Sequence, residues 1–230
     1  MNLHNITEQP VFGLTLSVVS YTVALYLSRR WSWLHPLFVC SGLIVLFLFV
    51  SGIPYEAYRN GGEILVLLLG PATVALGIPL YKNARRISNS LLSILGGMTV
   101  GSISALLLSA VFVWALGGSK ELMVTMMPKS VTSPIALEIS RQAGGIPELT
   151  AVLTVLTGLI GSMFGPGLLR LCGVRDDISI GTAIGTASHG IGTARIIRDS
   201  ELQGSVGSFA MGAAAIVTSF LFIPLYIWLH

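Results

Sequence analysis

Charge is what this chain has least of. Only 10% of its 230 residues are Asp, Glu, Lys or Arg, 53% are apolar, and mean hydropathy is +0.82. A soluble domain cannot carry that balance, so the sequence reads as an integral membrane protein in contact with the lipid bilayer.

Other absences narrow the function. The two cysteines, Cys40 and Cys172, lie far apart in sequence, which leaves no disulfide framework and no thiolate metal spacing. There is no phosphate-binding loop and no dinucleotide fingerprint, and His189 beside Ser188 lacks a carboxylate orienter at a recognisable spacing. The expectation is therefore no enzyme, no cofactor and no metal. The net charge of +3 sits in short clusters between apolar runs, so it reads as a topology signal and not as a nucleic-acid surface. Residues 1–10 carry no basic stretch and no small-residue cleavage site, so the first apolar run is expected to be a retained helix.

What is present is a series of long apolar runs at 9–28, 31–55, 64–81, 87–119, 149–169 and 206–230. Crossing a hydrocarbon core takes about 20 helical residues, so these predict six transmembrane helices in an all-α protein. The fourth run is longer than one crossing needs and is expected to be tilted or broken. Arg29 and Arg30 follow the first run, and Lys82, Arg85 and Arg86 follow the third; by the positive-inside rule both clusters are cytoplasmic and the N-terminus is outside. Trp31 and Trp33 read as interface anchors. One transmembrane domain over 1–230 is expected, with no soluble part.

Helix breakers interrupt this pattern. Gly70 with Pro71 and Gly77 with Pro79 fall inside the third run, and each proline removes a backbone donor, so the segment is either a kinked packing helix or a broken, cavity-lining one. Two polar stretches, 121–145 and 178–200, are too interrupted to be plain spans and are read as broken spans or re-entrant loops. Breaks in both halves of a membrane chain point to an inverted-repeat transporter with a site at mid-depth.

The polar stretches carry the chemistry. Ser133 before Pro134 reads as the N-cap of a short helix ending near Gly144 and Gly145, and that helix end is a seat for a small anion such as a carboxylate. Lys129, Ser130 and Thr132 stand beside it; the plainer reading of Lys129 is a side chain reaching for the headgroups. In 181–198, helical spacing puts Thr182, Thr186 and Thr193 on one face and Gly181, Gly185 and Gly192 on a neighbouring one, around Ser188, His189 and Gly190. Arg195 offers a bidentate fork to a carboxylate, or else reaches for the interface from a glycine packing seam. For ion coupling the candidates are His189 and Glu138, with sodium held by unwound carbonyls near Gly70 or Gly190 as the alternative. Glu138 has a plainer role as the partner of Arg141, three residues on.

Three strings carry a family likeness over nearly the whole chain: MPKSVTSPIA at 127–136, GGIP at 144–147 and GTASHGIGTAR at 185–195, with IPLY at 78–81 in agreement. On them the chain resembles the LrgB/CidB family of bacterial membrane proteins. His35 before Pro36 departs from the Asn that the resemblance leads one to expect there; if that Asn helps bind substrate or ion, His35 alters specificity or introduces pH dependence. The resemblance implies a multi-pass protein of the bacterial inner membrane and an LrgA/CidA-type membrane partner, and analogy with carriers built this way implies a homodimer. It implies two functions: an antiholin-like regulator of murein hydrolase export, or, as in the related plastid glycolate/glycerate translocator, a carrier of small monocarboxylates. Buried cations beside helix breaks favour the carrier, with the carboxylate held by Lys129, Ser130, Thr132 and Ser133 from one side and Ser188, His189, Thr193 and Arg195 from the other. Gly70, Pro71, Gly77, Pro79, Gly190 and Gly192 are then the gating positions.

Overall fold

A computed structural model describes residues 7, 9–31 and 35–229; Trp33 lies outside them. Every regular element among the described residues is helical, as expected of a backbone whose N–H and C=O groups lipid cannot satisfy. The chain forms two compact units, one ending at Ala75 and one beginning at Leu76.

In the first unit α1 (Pro10–Arg30) and α2 (Pro36–Ser51) both begin on a proline, where a missing N–H costs nothing, and α3 (Tyr55–Ala75) follows. Helix α1 packs on both others. It crosses α3 at Gly13 and Gly61, where a Cβ on Gly61 would lie 2.7 Å from Gly13 Cα, so the two backbones touch. Ser17 lies 3.0 Å from the Tyr58 hydroxyl at the same crossing. His35 is the N-cap of α2: its Nδ1 accepts from Leu37 N at 3.3 Å, the service an Asn would render there. Trp31 closes α1 as its C-cap and is exposed.

The second unit runs through α4 (Gly77–Lys82), α5 (Ala84–Asn89), α6 (Leu91–Ala115), α7 (Lys120–Met126), a 3₁₀ turn (Met127–Ser130), α8 (Ser133–Gln142), α9 (Pro147–Leu171), α10 (Asp177–Ile196) and α11 (Glu201–Leu229). Among the described residues five helical stretches are long and apolar enough to cross a membrane, and Pro36–Ser51 is a shorter apolar helix; together they correspond to the six expected runs. The third run is interrupted at Leu76, between its two Gly/Pro pairs, and Pro71 is accommodated within α3. The long fourth run is broken at Ser90, which separates α5 from α6.

The two polar stretches are both re-entrant hairpins. In α10 the backbone leaves the helical region at His189 (φ 42°, ψ −138°), and the chain after it doubles back. Ile196 packs against Ile180 and Ile184 in one cluster, and a Cβ on Gly192 would lie 2.8 Å from Ile184 Cγ2, contacts impossible along one straight helix. The single threonine face expected across Thr182, Thr186 and Thr193 is thereby corrected: the first two lie on the entering limb and Thr193 on the returning one. The break itself falls at His189, one residue before the expected Gly190, with Gly192 in the returning limb. At 1.5 Å per residue the 177–188 limb is about 18 Å long, roughly half the hydrocarbon thickness. The other hairpin enters by α7, turns through Met127–Ser130 and an extended Val131 (φ −93°, ψ 175°), and returns by α8. Thr132 is the N-cap of α8 and Ser133 its first helical residue, one position earlier than the Ser133 cap expected, because the extended backbone ends at Thr132 (φ −64°, ψ 144°).

Opposite ends of α9 receive the two hairpins. Thr125 and Ser140, one from each limb of the first hairpin, bond to the opening turn of α9: Ile146 N donates to Thr125 Oγ1 at 2.9 Å, and Thr150 Oγ1 lies 2.7 Å from Ser140 Oγ. The second hairpin has its base at the other end, where Asp177 takes bonds from Ser200 and Gln203 and where Arg170 of α9 meets Asp199. Its entering limb runs parallel to α6, with Thr182 against Gly97 and Thr186 against Gly101, and antiparallel to α9, with Ile184 against Gly165 and His189 against Gly158. Thus α6 with the first hairpin and α9 with the second repeat one motif in opposite senses, the arrangement of an inverted repeat.

Candidate functional site

The turn of the first hairpin and the end of the entering limb of the second meet beside the middle of α6. Pro128, Ser130 and Val131 at the first turn, Ser102 and Leu106 near the middle of α6, Thr186 near the end of the entering limb of α10 and Thr218 of α11 enclose a cavity of about 10 Å³. That volume holds one water-sized species. Four hydroxyl-bearing residues from four separate elements line it. Two of them, Ser102 (4% exposed) and Thr186 (6%), have hydroxyls with no hydrogen-bond partner among the described residues. Orphaned buried hydroxyls are uncommon, because each forfeits about 1–3 kcal/mol of hydration, so the pair marks the cavity as a place with a purpose.

Around it lie several of the residues singled out in the sequence. Ser130 lines the cavity, and Thr132 and Ser133 open α8, placing a helix N-terminus with its positive dipole end at the hairpin turn. Lys129 is partly buried and lies in an adjoining groove with Met126 of α7 and Ala105, Ser109 and Phe112 of α6; Ala105 borders both spaces. Among the described residues Lys129 makes no ion pair.

At the second turn, His189 Nε2 lies 3.0 Å from the Thr154 carbonyl of α9, and Thr193 Oγ1 donates to the His189 carbonyl at 2.8 Å, bracing the reversal. Gly158 makes room for the imidazole, since a Cβ there would be 2.7 Å from its Cε1, and Gly161 does the same for the buried Ser188. A positive φ at a buried histidine is strain of order 1–3 kcal/mol, held in place by these contacts. Gly190 and Gly192 start the returning limb, so the second turn also presents a helix N-terminus at mid-depth.

Two candidates lie elsewhere. Arg195 is at the base of the second hairpin: its Nη1 donates to Asp199 Oδ1 at 2.7 Å, and Asp199 also meets Arg170 at 3.6 Å. Glu138 is exposed, paired with Arg141 at 3.4 Å and bonded by Gln142 Nε2 at 2.8 Å. Of the gating positions, Gly70 and Pro71 belong to α3 in the first unit and Gly77 and Pro79 to α4 in the second. Ser102 and Thr218 escape sequence reasoning because each is one of several hydroxyl residues in an apolar run, among them Ser104 and Ser219, where a hydroxyl bonded to its own helix would look the same. Thr186 is visible as one of a threonine series, without the reversal that sets its surroundings.

The sequence model of the LrgB-like family matches residues 17–228. The chain is 36% identical over 216 residues to YxaC of Bacillus subtilis, covering 93% of this chain and 94% of that protein. It is 38% identical over 208 residues to a protein of Haemophilus influenzae, 90% of each chain, and 35% identical over 210 residues to YwbG of Bacillus subtilis, 90% of this chain and 93% of that one. All three are described as uncharacterized. No solved structure matches the chain.

Proposed function

The chain belongs to the LrgB-like family, and on that premise we propose that it is a secondary carrier of small monocarboxylates, of the size of pyruvate, glycolate or glycerate, working by alternating access in a bacterial inner membrane. The observation that carries this reading is the pair of opposed hairpins turning at mid-depth beside a hydroxyl-lined cavity. Half-helices whose N-termini face the middle of a membrane are seats for anionic groups. The carboxylate rests on the N-terminus of α8, with Lys129 as counter-charge and Ser130, Thr132 and Ser133 as donors; Ser188, His189 and Thr193 shape the opposite turn.

Arg195 acts in this scheme from the base of the second hairpin, where its bond to Asp199 holds the closed position. Lys82, Arg85, Arg86, Arg170, Arg175, Arg195 and Arg198 all belong to that end of the second unit, which by the positive-inside rule is cytoplasmic. The first hairpin then opens outward, and the apolar helices thread with the N-terminus outside. An LrgA-type membrane protein is the proposed partner, and a homodimer the proposed assembly.

The test is uptake of labelled pyruvate, glycolate and glycerate into proteoliposomes, with the chain alone and with an LrgA-like partner, under imposed ion gradients. Flux abolished by Lys129→Ala, with the variant still folded and inserted, supports the carrier. No flux in either preparation from folded protein refutes it and leaves the reading of an antiholin-like regulator of murein hydrolase export.

A further inference from the structure

We propose that the cavity between Ser102, Ser130, Thr186 and Thr218 is the binding site of a sodium ion that accompanies the substrate. The proposal rests on the carrier reading for its role but on the cavity alone for its existence. About 10 Å³ is too small for a carboxylate, which has three heavy atoms, and fits a single species the size of water. Four hydroxyl-bearing residues, on α6, the first hairpin turn, α10 and α11, surround it, and no charged side chain is among the lining residues. A set of neutral oxygens without a carboxylate suits a monovalent hard cation and leaves a divalent one uncompensated.

Two further observations supply the ligands an ion needs. The Ser102 and Thr186 hydroxyls are buried and unpartnered, although most other buried hydroxyls in this unit bond back to their own helix, as Thr182, Thr193 and Ser109 do. Their oxygens are thus held free as ligands. In addition, Val131 is extended, and among the described residues no backbone N–H is bonded to the carbonyls of Ser130 or Val131, so the unwound turn has carbonyl oxygens to add. Unwound carbonyls together with the C-terminal ends of half-helices are cation ligands in membrane carriers. Both entering limbs end here: α7 at Met126, and the first limb of α10 just past Thr186. Their negative dipole ends favour the cation, and the positive end of α8 favours the carboxylate beside it. A sodium ion and a monocarboxylate cross together as a neutral pair. That pairing removes the cost of moving a lone charge through the low-dielectric centre.

The test uses the purified full chain in detergent. Thermal unfolding is followed while NaCl replaces choline chloride at constant ionic strength, with KCl as a second control. Wild type should gain several degrees with sodium, saturably, and little with potassium. Thr186→Val and Ser102→Ala should be at least as stable as wild type in choline, since an unsatisfied hydroxyl is gone, and should not respond to sodium. Thr186→Ser, which keeps the oxygen, should retain the response. Equal melting in sodium and choline, or a sodium response surviving in both Thr186→Val and Ser102→Ala, overturns the site and leaves a cavity for water only. Uptake separates the two ideas. Carboxylate flux that ignores a sodium gradient removes the ion and keeps the carrier, whereas sodium-dependent stabilisation without carboxylate flux keeps the ion site and removes the carrier.

Discussion

The two hairpins have the same plan and are fastened by different means. The first is tied by hydroxyls: Thr125, Ser140 and Thr150 link both limbs to the start of α9, and α8 keeps an outer face with the exposed pair of Glu138 and Arg141. The second adds close packing at glycines to the bonds at its base and turn. Gly181 and Gly185 lie against α11, where a Cβ on Gly185 would be 2.7 Å from Gly207 Cα, and Gly158, Gly161 and Gly165 of α9 receive His189, Ser188 and Ile184. Lipid gives helices no hydrophobic reason to associate, so close packing and hydrogen bonds are the available fastenings. The first hairpin relies chiefly on hydroxyl bonds and the second adds glycine packing to its bonds, and substitutions should separate the two contributions.

The largest effect is expected at Gly185. Replacement by Leu drives a side chain into the Gly207 backbone, which cannot give way, and should leave little monodisperse protein on size exclusion; Gly185→Ala should cost about 1–3 kcal/mol in thermal unfolding. Next comes the hydroxyl staple of the first hairpin. Thr125→Val removes the acceptor for the part-buried Ile146 N–H, a loss of about 1–2 kcal/mol. Adding Thr150→Val to it should cost less than the sum of the two single losses, because both residues belong to one network. A double-mutant cycle showing simple additivity would contradict that network.

His189 probes the second hairpin at its turn. His189→Gly relieves a positive φ but gives up the bond to the Thr154 carbonyl, so stability should change by no more than about 1 kcal/mol. His189→Ala keeps the strained backbone and loses the same bond, and should be less stable than His189→Gly. Equal melting of the two variants would show that the turn is not strained.

The sequence made the helices legible because lipid demands long apolar runs, and it marked both hairpins because breakers and hydroxyls interrupt those runs. It also located the start of α8 to within a residue. What it left hidden is the reversal at His189. Gly190 and Gly192 announce a break, but a kinked helix and a hairpin share that composition; only the contact of Ile196 with Ile180 decides between them. Arg195 shows the same limit. Six positions after His189 it reads as a neighbour of the site, yet the returning limb carries it about 9 Å back toward the base, where Asp199 is waiting. Ser102 was hidden for a different reason, since its meaning depends on three other elements that converge on it.

The smallest effect on stability is expected at that base. Asp199→Asn removes the charge that Arg195 and Arg170 share, and because Arg195 is 40% exposed and Arg170 60%, the loss should stay below about 1 kcal/mol and shrink further in high salt. Arg195→Ala should behave alike, with substrate still bound, in contrast to Lys129→Ala at the turn. Measured as the apparent affinity for uptake, Arg195→Ala should remain near wild type while Lys129→Ala loses it. If Arg195→Ala weakens affinity as Lys129→Ala does, the base of the second hairpin must approach the carboxylate during the cycle, and the difference between the two hairpins would be one of conformation and not of construction.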